Sequence, residues 1–120
     1  MLRQISSGSV RLISIDRAEL LSRLREIAEE MRAEHPEVAD VRVFGSIARG
    51  DHVGASDVDV LIVLRDGESG DPIERIRSFY PYFDLPIGVD LLVFTKDQLK
   101  HRREGGDAHL ERIWQESQPL

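Results

Sequence analysis

Cysteine is absent from this chain. That removes disulfides and thiolate metal sites from the available chemistry and agrees with a cytoplasmic home. No apolar stretch approaches the ~20 residues needed to span a bilayer, so no membrane association is expected. The N-terminal run MLRQISSGSVRLISI has one early Arg but no uninterrupted apolar core or small-residue cleavage site, so it is not read as a signal peptide. A basic excess is missing too. The formal net charge is −6, whereas a domain that grips nucleic acid through a broad phosphate footprint is usually basic, which disfavours nucleic acid as a direct partner. Repeats and low-complexity segments are lacking.

What is present fits one folded domain over residues 1–120. Apolar residues make up 41% and charged residues 32%, the balance of a globular chain rather than a disordered one. Ser9–Ile15 alternates as a short strand. Asp16 then opens a helix, with Glu19 at capping-box spacing, that ends near Glu34 before Pro36. Val38–Phe44 reads as the next strand, Gly45-Ser46 as its break, and residues 51–56 as a loop. Asp57–Leu64 is the strongest strand. Pro72 suits the first turn of a helix carrying Ile73, Ile76 and Phe79, and Pro86–Phe94 gives a further strand. Thr95 with Gln98 starts a helix to about Arg103, and a last short helix leads to a frayed Ser117–Leu120. Strands alternating with helices predict an α+β, or α/β-like, domain with one small sheet.

Three carboxylates sit where a core strand should be apolar. Side chains on a strand alternate faces, so Asp57 and Asp59 point the same way, with Cβ atoms roughly 6.5–7 Å apart. Like charges that close repel, and desolvation adds to the cost. Cations between them relieve both, and hard oxygen donors select Mg²⁺ or Mn²⁺ over Zn²⁺. Asp90, flanked by Val89 and Leu91, can join the same face if its strand neighbours that of Asp57 and Asp59. Three acids with substrate phosphates suit a site of two metal ions. Gly45-Ser46 supplies the complementary half, because a glycine turn lets backbone N–H groups approach a phosphate and the adjacent hydroxyl can donate to it. Arg49, one turn later, is placed either to neutralise a phosphate oxygen or to stand as an exposed helix-end charge.

Gly45-Ser46, ten further residues, Asp57-Val58-Asp59 and then Asp90 on a later strand resemble the active-site pattern of the DNA polymerase beta-like nucleotidyltransferases. GSIARG and SDVDVLIV resemble in particular the minimal nucleotidyltransferases, small proteins of about this length. The resemblance implies the nucleotidyltransferase fold, a small mixed β-sheet flanked by helices. It implies that Asp57 and Asp59 bind two Mg²⁺ ions and that Asp90 binds the catalytic ion and helps activate the incoming hydroxyl. Gly45 and Ser46 would hold the outer phosphates of ATP, the expected substrate, with Arg49 beside them.

Larger members of that superfamily add an acceptor-binding domain, whereas only thirty residues follow Asp90 here. The resemblance therefore implies an acceptor supplied by another protein. Minimal nucleotidyltransferases commonly pair with a helical HEPN-family toxin and silence it by attaching AMP to a tyrosine, in the manner of a type VII-like antitoxin. Two rivals stand beside this reading: an antitoxin that neutralises its partner by binding alone, and an enzyme acting on RNA or a small molecule. The four histidines lack metal-site spacing and default to solvated surface, with His52 the one nearest the motif. Trp114, with Leu110 and Ile113, either caps the core or faces a partner.

Overall fold

Helix α1 (Arg17–Glu34) begins where the sequence places it, because the Asp16 carboxylate accepts the N–H of Glu19 at 3.2 Å. Leu20, Leu21, Leu24, Ile27, Ala28 and Met31 recur at helical spacing and are all buried. At its far end the His35 N–H still reaches the Met31 carbonyl, and Pro36 permits no further turn. The computed structural model describes residues 2–7, 10–50, 57–67 and 70–120, with side chains from Asp16 onward.

The remaining elements follow in chain order. Strands β1 (Leu2–Ser7) and β2 (Val10–Ile15) precede α1 and pair antiparallel as a separate two-stranded sheet. After α1 come β3 (Val38–Phe44), the short helix α2 (Gly45–Arg49) and β4 (Val58–Leu64). Helix α3 (Pro72–Phe79) runs into a 3₁₀ turn at Tyr80–Tyr82, followed by β5 (Val89–Thr95). Helices α4 (Lys96–Glu104) and α5 (Ala108–Glu116) lead to a short strand, β6 (Gln118–Pro119). The Thr95 and Gln98 side chains complete the expected reciprocal capping box on α4. Among the described residues no helix is long and apolar enough to cross a membrane.

The main sheet has the order β5-β4-β3-β6. Strand β4 lies antiparallel to β3 and parallel to β5, and β6 lies antiparallel to β3, so the sheet is mixed as expected. Alternation divides β4 between two hydrophobic layers. Val58, Val60, Ile62 and Leu64 join the layer built with α1, Phe79 and Phe83. Leu61 and Val63 join a second layer with Phe44, Leu99, Leu110 and Ile113, where α4 and α5 cover the opposite face. A strand buried on both faces reads as a nearly unbroken apolar run, as this one does.

Three sequence expectations need correction. The end of the chain is not frayed. The Leu120 N–H donates to Val41 at 3.0 Å, and Arg32 donates to the Leu120 carbonyl at 3.1 Å. The edge of β3 supplies the ladder partner, and Pro119 is tolerated there because an edge strand needs no inward N–H at every position. Strand β1 was not expected, and it is the partner of the strand read in Ser9–Ile15. His35 is half-buried rather than solvated, edge-on to Phe79 with centroids 5.1 Å apart, and its Nδ1 lies 2.7 Å from Glu37. Trp114 is a half-buried part of the second layer, with the guanidinium of Arg42 at 4.4 Å and that of Arg103 at 5.0 Å from its ring centroid.

Candidate active site

The register of the sheet brings the predicted acids together. Asp59 stands opposite Phe44 on one side and opposite Asp90 on the other, in a single row across β3, β4 and β5. Residues paired across a ladder point to the same face. The alternation that sends Leu61 and Val63 toward α4 and α5 therefore sends Asp59 and Asp57 the same way. Leu92 and Phe94 fix the same face for Asp90 on β5. All three carboxylates thus lie on one face of the sheet, at the N-terminal ends of two parallel strands. Asp57 and Asp90 are exposed and Asp59 is half-buried.

Two glycines make room for them. Gly45 follows β3 directly with φ +71°, a left-handed conformation that side chains resist. A Cβ there would run into the Asp59 carboxylate, with Asp59 Cγ 3.1 Å away. Gly88 lies beside Asp57, where a Cβ would stand 2.6 Å from Asp57 Oδ1. The Gly88 carbonyl accepts the N–H of Val58 at 2.9 Å, tying the start of β4 to the approach of β5. The sequence points to Gly45 through its turn but gives no sign of Gly88, whose close neighbour Asp57 is distant in the chain.

Electrostatics mark Asp59 as the strained member. Partial burial pushes its carboxyl above the usual range; the nearby Asp90 and Asp57 push it further, and Arg49 opposes them. Among the described residues no hydrogen bond or ion pair reaches this carboxylate. A half-buried, unbonded acid crowded by two more is a site that a hard dication would stabilise, and three Asp oxygen donors fit Mg²⁺ or Mn²⁺. The cage is open, however. Among the described residues no three acidic or imidazole side chains stand close enough to hold an ion as they are.

The phosphate-binding residues predicted from the sequence lie alongside. Helix α2 carries Gly45 at its start, Ser46 half-buried next to it, and Arg49 exposed at its end. Arg17 braces this short helix from α1, its Nε donating to the Ile47 carbonyl at 2.8 Å, while Gln118 donates to Ala48 at 2.9 Å. The unexpected neighbour is Glu116, the last residue of α5. Its Oε1 accepts the Gly45 N–H at 3.1 Å, and both its oxygens lie 3.2 Å from Arg49 Nη1. Nothing in the sequence pattern points to Glu116, since it stands 71 residues from Gly45 and meets it only through the docking of α5. The loop 51–56, including His52, lies outside the described residues.

Comparison with known proteins bears on the family and the fold. The family model for the nucleotidyltransferase domain matches residues 24–119. That span contains Gly45, Ser46, Arg49 and all three acids. A solved structure of a candidate nucleotidyltransferase from Sulfolobus solfataricus superposes with a TM-score of 0.62 at 23% identity, covering 86% of this chain and 80% of that one. At that identity the likeness concerns the fold, a mixed sheet flanked by helices. A search among curated proteins gives no match.

Proposed function

Because the chain belongs to the nucleotidyltransferase domain family, we propose that it transfers a nucleoside monophosphate, AMP from ATP, to a tyrosine hydroxyl of a cognate HEPN-family helical toxin and so acts as its antitoxin. The observation that carries the chemistry is the row of carboxylates. Asp59 is directly opposite Asp90, Asp57 is one alternation away, and Gly45 is folded against Asp59. The choice of a protein acceptor rests on the resemblance to minimal nucleotidyltransferases. The acidic net charge agrees with it, since an RNA acceptor would favour a more basic surface.

Each residue has a distinct task in this reading. Asp57, Asp59 and Asp90 would hold Mg²⁺, or Mn²⁺, which when bound neutralises the triphosphate and the departing pyrophosphate. Asp90, exposed on the outer strand β5, would hold an acceptor hydroxyl in line. Gly45, Ser46 and Arg49 would fix the outer phosphates through a backbone N–H, a hydroxyl and a guanidinium. The acceptor oxygen forms its new bond to the α-phosphorus. The bond from that phosphorus to the bridging oxygen breaks, pyrophosphate leaves, and the hydroxyl proton passes to a carboxylate or to water. Catalysis in this arrangement is positioning and charge neutralisation.

The test is to incubate the protein with its genomic neighbour, Mg²⁺ and each ribonucleoside triphosphate, and to take intact masses of both chains. A gain of adenylate mass on the neighbour is expected, absent with the Asp57→Asn/Asp59→Asn double variant. A stable complex with no mass gain on either chain would instead support neutralisation by binding, and label transferred only to RNA would overturn the protein acceptor.

A further inference from the structure

We propose that Glu116 is a built-in stand-in for phosphate, closing the cradle formed by Gly45 and Arg49 until a nucleoside triphosphate displaces it. The inference rests on the nucleotidyltransferase reading above and concerns the same site. One oxygen of Glu116 accepts from both the Gly45 N–H, at 3.1 Å, and the Arg49 guanidinium, at 3.2 Å, while the other oxygen accepts from Arg49 at 3.2 Å. A carboxylate spanning a backbone N–H and a guanidinium makes the contacts that two oxygens of a phosphate would make there.

The hydrogen-bond inventory makes the two occupants competitors. A backbone N–H has a single hydrogen, so a phosphate gains a full-strength bond from Gly45 only as Glu116 gives it up. Charge points the same way, because a triphosphate entering beside Asp57, Asp59 and Asp90 would meet a fourth carboxylate that no acceptor chemistry requires. Only 21% of the Glu116 side chain is exposed, against 47% for Arg49, so Glu116 is the more buried partner of the pair.

Its place in the chain turns a local exchange into a wider one. Glu116 ends α5, and Ser117 beyond it accepts from Arg42 Nε at 2.7 Å. Gln118 then pairs with Val43 and donates to the Ala48 carbonyl. Withdrawing Glu116 therefore pulls on the end of α5 and on β6 together, so nucleotide binding should loosen the C-terminal strap that closes the β3 edge.

The experiment titrates the full chain with Mg²⁺ and the α,β-methylene analogue of ATP by calorimetry, for wild type, Glu116→Gln and Glu116→Ala. Removing the competing charge should tighten binding roughly three- to tenfold, the discrimination expected of a partly exposed charge-assisted contact. Hydrogen exchange on wild type with the saturating analogue should show residues 112–120 exchanging faster and residues 41–50 exchanging more slowly. Binding by the variants alone would also support the proposal. Wild-type binding with equal or weaker binding by Glu116→Gln would overturn it and leave the nucleotide reading standing. No binding by any of the three proteins would overturn both. Should the variants fail to fold, unchanged exchange over 112–120 in saturated wild type overturns the proposal by itself.

Discussion

Replacing Asp59 with Asn should make the metal-free protein more stable while abolishing its activity. Asp59 stands directly opposite Asp90 on the neighbouring parallel strand, which puts the two carboxylates about 5 Å apart by the spacing of strands in a sheet. Two unit charges at that distance repel by about 3 kcal/mol in a surface-like dielectric and by about 0.8 kcal/mol in bulk water. Because the row lies at the ends of the strands with Asp90 exposed, solvent screening favours the lower end of that range, about 0.8–1 kcal/mol. For a domain of this size that is a rise of about 3–6 °C in Tm. The pH dependence supplies a second check. A carboxyl raised above its ordinary value contributes stability that is present below the unfolded pKa of about 4 and lost as pH rises through the folded value. The gap between variant and wild type should therefore open above about pH 4 and shrink on acidification. Thermal unfolding in chelator measures both effects. Adding Mg²⁺ should then raise the wild type and leave Asp59→Asn nearly unmoved, since only a site that binds the ion gains by mass action. A lower Tm for Asp59→Asn in chelator at pH 7, or an equal gain from Mg²⁺ in both proteins, would refute the account of a crowded acid awaiting a dication.

Two other substitutions probe the frame around the site. Gly45→Ala combines a left-handed backbone, unfavourable by about 1–2 kcal/mol for a residue with a Cβ, with overlap of that Cβ with the Asp59 carboxylate. Urea denaturation should show a loss of at least that size, and titration with the ATP analogue should show weakened binding; an unchanged midpoint would refute the close-packed turn. Leu24→Ala removes a fully buried side chain between α1 and the sheet and should cost about 2–5 kcal/mol. Denaturation would register it as a lower midpoint with an unchanged slope, and a loss under about 1 kcal/mol would mean the α1 layer is not packed as described.

The parts legible in the sequence are those governed by local periodicity. The two-residue repeat of a strand puts Asp57 and Asp59 on one face whatever their pairing, and the apolar residues of α1 recur at the helical spacing of its buried face. Capping chemistry placed the starts of α1 and α4 because the donors and acceptors involved are three residues apart. What stayed hidden depends on partners distant in the chain. Gln118 and Pro119 look like a polar tail until the open edge of β3 is there to receive them. Gly88 looks like an ordinary turn glycine until Asp57 is packed against it. Glu116 looks like any exposed acid on a helix until α5 docks and lays it on Gly45.

Why the acids stop where they do along each strand follows from the second helical layer. On the face of β4 that carries Asp57 and Asp59, the next two residues are Leu61 and Val63, both buried under Leu99, Leu110 and Ile113. On β5 the same face changes from exposed Asp90 to Leu92 and Phe94. In both strands the change from carboxylate to hydrocarbon falls between the same paired rows, Asp59–Asp90 and Leu61–Leu92. Beyond that line α4 and α5 exclude water, and an unpaired carboxylate would have to give up its hydration. Short of it Asp57 and Asp90 are exposed, and charge can be held at modest cost beside solvent. Helix α5 ends on that boundary at Glu116, so the layer that buries the hydrophobic half of the face also brings a carboxylate against Gly45 and Arg49. A variant that shortens or tilts α5 should thus alter nucleotide affinity without touching any of the three aspartates.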